Sequence, residues 1–130
     1  MKLVTAAIII INNHVLLTRR KKGQKLEGYW EFPGGKIEKN ETPQSCLERE
    51  LYEELNVKAK AGKIIAESVY EYSHGSIKLI GIETILLSDQ LKLSVHDKAK
   101  WVLLKDVTNF NLAPADIPIA KILTKRDLIS

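Results

Sequence analysis

Apolar residues gather in runs whose period changes along the chain. Residues 3 to 11, LVTAAIIII, are almost uninterrupted and stop at Asn12-Asn13, after which HVLLTRR begins. The two runs read as a hairpin with a tight Asn-rich turn. A run without polar alternation predicts a strand covered on both faces. KIIAESVYEYS and IKLIGIETILLS are β-rich and flank HGS as a second hairpin, and KAKWVLLKDV reads as one more short strand. EGYWEFPGG is aromatic and closes on breakers.

Between these strands the period becomes helical. Thr42-Pro43 is a helix start: Thr caps free amides, and Pro suits the first helical position. Leu47, Leu51 and Leu55 then recur on one side. Near the end, APADIPIAKILTKRDLI opens with prolines and spaces Ile119, Ile122 and Leu123 as a closing helix. Strands on either side of a central helix predict one α/β (α+β) layered domain over residues 1–130.

Composition narrows the class. With 45% hydrophobic and 28% charged residues a folded core is expected and disorder is excluded. Cys46 is the single cysteine, so neither an intrachain disulfide nor a cysteine-based zinc site can form, and it reads as a packing residue in a reducing compartment. The N-terminal apolar run is too short for a membrane span. A cytoplasmic protein without a membrane partner is expected. The net charge of +4, concentrated in RRKKGQK (residues 19–25), is either a solvated loop or an attractor of phosphates.

Against that positive balance, Glu48, Glu50, Glu53 and Glu54 crowd onto one helix. With Glu50 as reference, Glu53 lies about 60° to one side and Glu54 about 40° to the other. Like charges at these spacings repel, and Arg49, about 100° round, does not neutralise the whole group. A hard divalent cation, Mg²⁺ or Mn²⁺, fits the deficit, because it takes carboxylate oxygens and pairs with phosphates. The alternative is a solvated acidic face. Gly34 and Gly35, just upstream, permit unusual backbone angles and close approach to a ligand.

These residues resemble the Nudix signature, G-x(5)-E-x(7)-R-E-U-x-E-E-x-G-U with U aliphatic. The chain supplies Gly35, Glu41, Arg49, Glu50, Leu51, Glu53, Glu54 and Val57 at those spacings. Asn56 stands where the family has Gly, a position past the helix that wants left-handed backbone, which Asn tolerates. The resemblance implies a Nudix fold, with a mixed β-sheet sandwiched between helices. It implies catalytic metals, Mg²⁺ with Mn²⁺ as substitute, held by Glu50, Glu53 and Glu54 with a backbone oxygen of Gly34 or Gly35. Glu50 or another nearby carboxylate would orient the attacking water, Glu53 would share in catalysis, Arg49 would support the glutamates, and Glu41 would be a secondary metal or structural residue.

Over nearly the whole chain, the segments LLTRR, WEFPGGKIEKNETP and LAPADIPIAKIL are similar to the MutT-like nucleoside triphosphate pyrophosphohydrolases. That likeness implies a small nucleotide substrate, cleaved to a monophosphate and pyrophosphate, rather than a nucleic-acid partner. Arg20 becomes the phosphate-contacting candidate and Phe32 a residue near the base. Asp116 replaces the Asn that MutT itself uses on oxidised guanine. An ionised Asp accepts hydrogen bonds and suits cytosine N4, so CTP and dCTP are expected substrates, with 8-oxo-dGTP accepted if Asp116 protonates. Asp116 also reads as a cap of the last helix.

A loop Glu that MutT carries six residues before the Trp is Val95 here, followed by His96 and Asp97. Either Asp97 takes its place or the base comes wholly from the helix. His96 reads as a loop hydrogen-bonder, and His14 and His74 as turn residues. Two rivals stand: a Nudix specificity for ADP-ribose or dinucleoside polyphosphates, and a non-catalytic module that binds RNA or a nucleotide through its basic surface. The sequence specifies no oligomeric state.

Overall fold

The computed structural model describes residues 1–88 and 90–129, with side chains through residue 125. Strand β1 (Lys2–Ile8) lies parallel to β6 (Gly75–Leu86), which is antiparallel to β5 (Ala59–Tyr72). The second sheet is built on β3 (His14–Arg20), which pairs along its length with β7 (His96–Leu103), at its start with β2 (Ile10–Ile11) and at its end with β4 (Trp30–Glu31). Helix α1 (Pro43–Leu55) and helix α2 (Ile117–Ile129) complete the fold.

The apolar run at residues 3–11 is two strands, not one. Residues up to Ile8 pair with β6, while Ile10 and Ile11 pair with β3 in the other sheet, so the chain changes sheets at Ile9. The predicted hairpin is therefore the short β2–β3 pair. Its Asn12 and Asn13 have φ of 50° and 65°, the left-handed pair that a tight type I′ turn requires. The β5–β6 hairpin forms around Ser73-His74, although β5 reaches back to Ala59.

Burial on both faces divides the core. Ala6, Ile8, Val15, Leu17 and Val102 join Ile119, Ala120 and Leu123 of α2 on one side. Ala7, Ile9 and Leu16 join Leu47, Leu51 and Leu55 of α1 on the other. Alternate residues of the same strands thus feed two cores, which is why these strands show no polar alternation. The sheets lie between the two helices. The segment LKDV, expected to continue the last strand, leaves it at Leu103. Leu104–Asn109 form 3-10 turns that bury Leu104 and Val107, three positions apart, in the α2-side core.

Helix α1 begins and ends as its sequence predicts. Thr42 Oγ1 accepts from the Ser45 N–H and Ser45 Oγ accepts from the Thr42 N–H, both at 3.0 Å, closing a capping box. At the other end Asn56 takes φ 57° and donates its N–H to Tyr52 O at 3.0 Å. Helix α2 starts at Ile117 after a 3-10 turn over Pro114–Asp116. Among the described residues no helix is long and apolar enough to cross a membrane.

Because Asn56 already occupies left-handed backbone, Asn56→Gly is expected to leave stability unchanged or raise it by a few tenths of a kcal/mol. Asn56→Val is expected to lower it by about 1–2 kcal/mol. Urea midpoints of the two variants check this.

Candidate active site

The capped start of α1 fixes the rotation of the helix, and that rotation sets out its glutamates. Glu48 leaves the cluster: its Oε2 accepts the Ala61 N–H at 2.9 Å and ties the helix to β5. Arg49 reaches much further than its angle on the helix predicts. Its Nε and Nη2 grip Glu41 at 2.6 and 2.9 Å, and its Nη1 donates to Glu50 at 3.0 Å and Glu53 at 2.9 Å. The guanidinium holds the Glu41 carboxyl down at about 2. Glu41 is thereby a structural anchor, also accepting the Glu38 N–H at 2.9 Å.

Glu54 has no such cation. It is largely buried, and its Oε2 has no hydrogen-bond partner. Burial, together with the adjacent Glu50 carboxylate, pushes the Glu54 carboxyl up to about 8. The unpaired oxygen is what an added cation would satisfy, and the donors around it are hard oxygens. Among the described residues no three His, Cys, Asp or Glu side chains converge as a metal-holding group. Glu50 and Glu53 face Arg49 instead, so the guanidinium stands where positive charge is wanted.

Of the two reasons expected for Gly34 and Gly35, unusual backbone angles are not in use. Neither takes left-handed backbone. A Cβ on Gly34 would strike the Thr5 carbonyl, and one on Gly35 would strike the Glu50 carboxyl. The pair is glycine because β1 and α1 press against it from opposite sides. The Gly35 carbonyl accepts from Thr5 N at 2.8 Å and from Thr5 Oγ1 at 3.1 Å. Cys46 is buried beside this junction, a packing residue as expected, with its thiol donating to Lys36 O at 3.3 Å.

A cleft of about 340 Å³ brings Glu50, Glu54, Gly34 and Gly35 together with Arg20, Phe32 and Asp116. A larger apolar groove of about 730 Å³, lined by Ile11, Leu87 and Trp101 among others, contains none of the carboxylates. The chemistry therefore lies in the smaller one. Glu53 is more than half exposed and faces Arg49. Of the basic run, Arg20 and Lys25 line the cleft, while Arg19 is paired to Asp97.

Asp116 is not a helix cap. Its Oδ2 accepts the Phe32 N–H at 2.9 Å, and the side chain is buried. Burial, and then the charge of Glu31, push its carboxyl well above the ordinary range, against the pull of the Phe32 amide. This changes the premise of an ionised Asp, because the group keeps its proton further up in pH. The Phe32 ring packs in the α2-side core.

Asp97 does not take the place of the loop Glu. A β-bulge between Arg19 and Arg20 shifts the register, so that Arg20 faces His96 while Arg19 faces Lys98. Asp97 is the extra residue and turns outward, accepting from Arg19 Nε and Nη2 at 2.8 Å each. His96 is turned inward and buried, its Nε2 2.8 Å from Glu31 Oε2. Glu31 also meets Arg20 Nη1 at 3.5 Å. Neither Glu31 nor the inward turn of His96 was found from sequence, since regular alternation puts Asp97 on the inner face. His74 also lines the cleft, stacked on Tyr72 with ring centroids 5.1 Å apart.

The NUDIX domain family matches residues 1–124. The chain is 35% identical over 116 residues to a CTP pyrophosphohydrolase of Escherichia coli (strain K12), covering 89% of this chain and 86% of that protein. It is 31% identical over 112 residues to an 8-oxo-dGTP diphosphatase of Buchnera aphidicola, covering 83% and 82%. The solution structure of the E. coli ORF135 protein superposes with a TM-score of 0.83 at 33% identity, over 98% of this chain and 92% of that one.

The Glu54 carboxyl has a folded value of about 8, above the 4.5 of an ordinary Glu, so the folded protein binds this proton more tightly than the unfolded chain. Its contribution to stability is full below the unfolded value and is lost as pH rises through the folded one. Without divalent ions, the contribution of this group to the melting temperature is expected to fall between about pH 4.5 and about pH 8 and to level off above that, with a shallower fall in Glu54→Gln. Thermal unfolding in chelator across that range checks it.

Proposed function

The chain belongs to the Nudix family of hydrolases, and from that premise we propose that it hydrolyses nucleoside triphosphates to a nucleoside monophosphate and pyrophosphate. The observation that supports this most is one cleft holding both kinds of group the reaction needs. Glu50 and Glu54 stand at one part, and Arg20, Phe32 and Asp116 stand with them. Cytidine nucleotides and 8-oxo-dGTP are the proposed substrates, with a role in cleansing the cytoplasmic nucleotide pool.

Glu50, Glu53 and Glu54 would hold the Mg²⁺ or Mn²⁺ ions. Gly34 is the better backbone candidate, because Thr5 already engages the Gly35 carbonyl. Bound there, such ions offset phosphate charge and lower the pKa of the attacking water. Arg49 holds Glu50 and Glu53 in place and limits their repulsion. Glu50, which lies against Gly35, would orient the water. Arg20 presents its guanidinium to the phosphates, with Glu31 steadying it.

Asp116 Oδ2 already accepts the Phe32 N–H, so at the base a protonated Asp116 would offer its Oδ1 hydroxyl as donor and the remaining lone pair of Oδ2 as acceptor. That pair is complementary to cytosine N3 with N4–H and also to 8-oxoguanine O6 with N7–H. One carboxyl thus accounts for both substrate classes, whereas an ionised one meets only the donors.

Glu50→Gln, Glu53→Gln and Glu54→Gln are each expected to lower Mg²⁺-dependent pyrophosphate release by on the order of a hundredfold or more, the rate equivalent of several kcal/mol. Wild-type rates in all three would discard the metal-holding role, and a salt-dependent RNA affinity with no Mg²⁺-dependent turnover in the wild-type protein would favour the non-catalytic module. Asp116→Ala is expected to lower kcat/KM for the preferred base by roughly tenfold to a hundredfold, with a much smaller loss on a nucleotide the enzyme uses poorly. The measurement is pyrophosphate release from CTP, dCTP, 8-oxo-dGTP and dGTP, with ADP-ribose followed as phosphate after phosphatase treatment. Equal losses on every substrate would discard the base-reading role.

A further inference from the structure

Two buried side-chain polar atoms among the described residues lack hydrogen-bond partners, one on Glu54, which lines the cleft, and one on His96 just behind it. Glu54 Oε2 and His96 Nδ1 are 4.0 Å apart. The other nitrogen of the same ring, Nε2, is 2.8 Å from Glu31 Oε2. One fully buried imidazole therefore stands between a carboxylate of α1 and a carboxylate of β4.

This arrangement is a product of strand geometry. Residues directly paired across an antiparallel ladder share a face. Thr18 pairs with both Ala99 and Glu31, which places Glu31 on the face of Thr18 and Ala99. Two positions along β3, Arg20 occupies the same face, and the bulge gives it His96 as partner. The bulge thus aims His96 at Glu31 and at α1, and sends Asp97 to Arg19 on the opposite face. Packing leaves the ring no exposed surface, so it is held rigidly. Glu31 is followed directly by Phe32, whose N–H holds Asp116.

We infer that His96 is a positioning residue that ties two parts of the site together, Nε2 setting Glu31, which steadies Arg20 and directly precedes the Phe32 that holds Asp116, and Nδ1 setting Glu54 among the helix carboxylates. The inference rests on the reading of Glu54 as a metal-holding residue. An imidazole hydrogen-bonded at one nitrogen and aimed at a ligating carboxylate with the other is an outer partner, and loss of such partners weakens metal binding by about 10–100-fold.

Asn and Gln separate the two functions of the ring, since an Asn amide falls near Nδ1 and a Gln amide near Nε2. Mn²⁺ binding to the substrate-free protein, followed by electron paramagnetic resonance, reads the Glu54 side, and KM for CTP reads the Glu31 side. His96→Asn is expected to keep Mn²⁺ affinity near wild type and raise KM. His96→Gln is expected to keep KM and weaken Mn²⁺ binding about tenfold. Equal losses in both variants, or none in either, would overturn the positioning role while the wild-type enzyme stayed active and bound Mn²⁺. A wild-type protein with neither Mn²⁺ binding nor turnover would overturn the metal reading and this inference with it.

Discussion

Carboxylates placed a helical turn apart repel, and burying one of them adds a desolvation penalty. That constraint governs the cleft. Glu50, Glu53 and Glu54 share one side of α1, and Arg49 is the cation within reach of the first two. Glu54, deeper and unpaired, answers by keeping its proton up to about 8. The site is poised between two ways of neutralising the same charge, a proton and a cation. Hydrolysis of a phosphoanhydride needs the second, because a metal cation held by carboxylates also brings positive charge to phosphate oxygens, which a proton does not.

Holding that arrangement needs a rigid frame, which the strands supply by being buried on both faces. Ala7, Ile9 and Leu16 press against α1, and their neighbours Ala6, Ile8, Val15 and Leu17 press against the α2 side. Thr5 at the end of this layer binds the Gly35 carbonyl, and Gly35 in turn lies against Glu50. A chain of contacts thus runs from β1 through the glycine pair to the acidic helix. Any side chain at Gly34 or Gly35 would break it.

The excess of basic residues has an equally local meaning. Arg20 and Lys25 line the cleft, while Arg19 is turned away and paired with Asp97. One residue of bulge separates these fates. It also accounts for Glu31, a carboxylate that steadies Arg20 at 3.5 Å, meets His96 and raises the proton affinity of Asp116. Arg20, His96 and Asp116 are in this way joined through Glu31 of β4.

Local signals in the sequence determined the parts that depend on near neighbours. Thr42-Pro43 and Asn56 bounded α1 because capping and left-handed backbone are properties of a few consecutive residues. Asn12-Asn13 marked its turn for the same reason. The spacing of glutamates, glycine and arginine pointed to the family and to the elements that bear the site. Tertiary structure alone decided the division of residues 3–11 between two sheets, since an apolar run does not state which neighbours cover it. It also decided that Arg49 spans Glu41, Glu50 and Glu53, a reach that depends on how the loop before α1 folds back. The bulge that exchanges Asp97 for His96 was equally illegible, because a one-residue slip reverses which side chains face inward and leaves no mark on composition or period. Likewise, the proton affinity of Asp116 follows from burial beside Glu31, a neighbour 85 positions away in the chain.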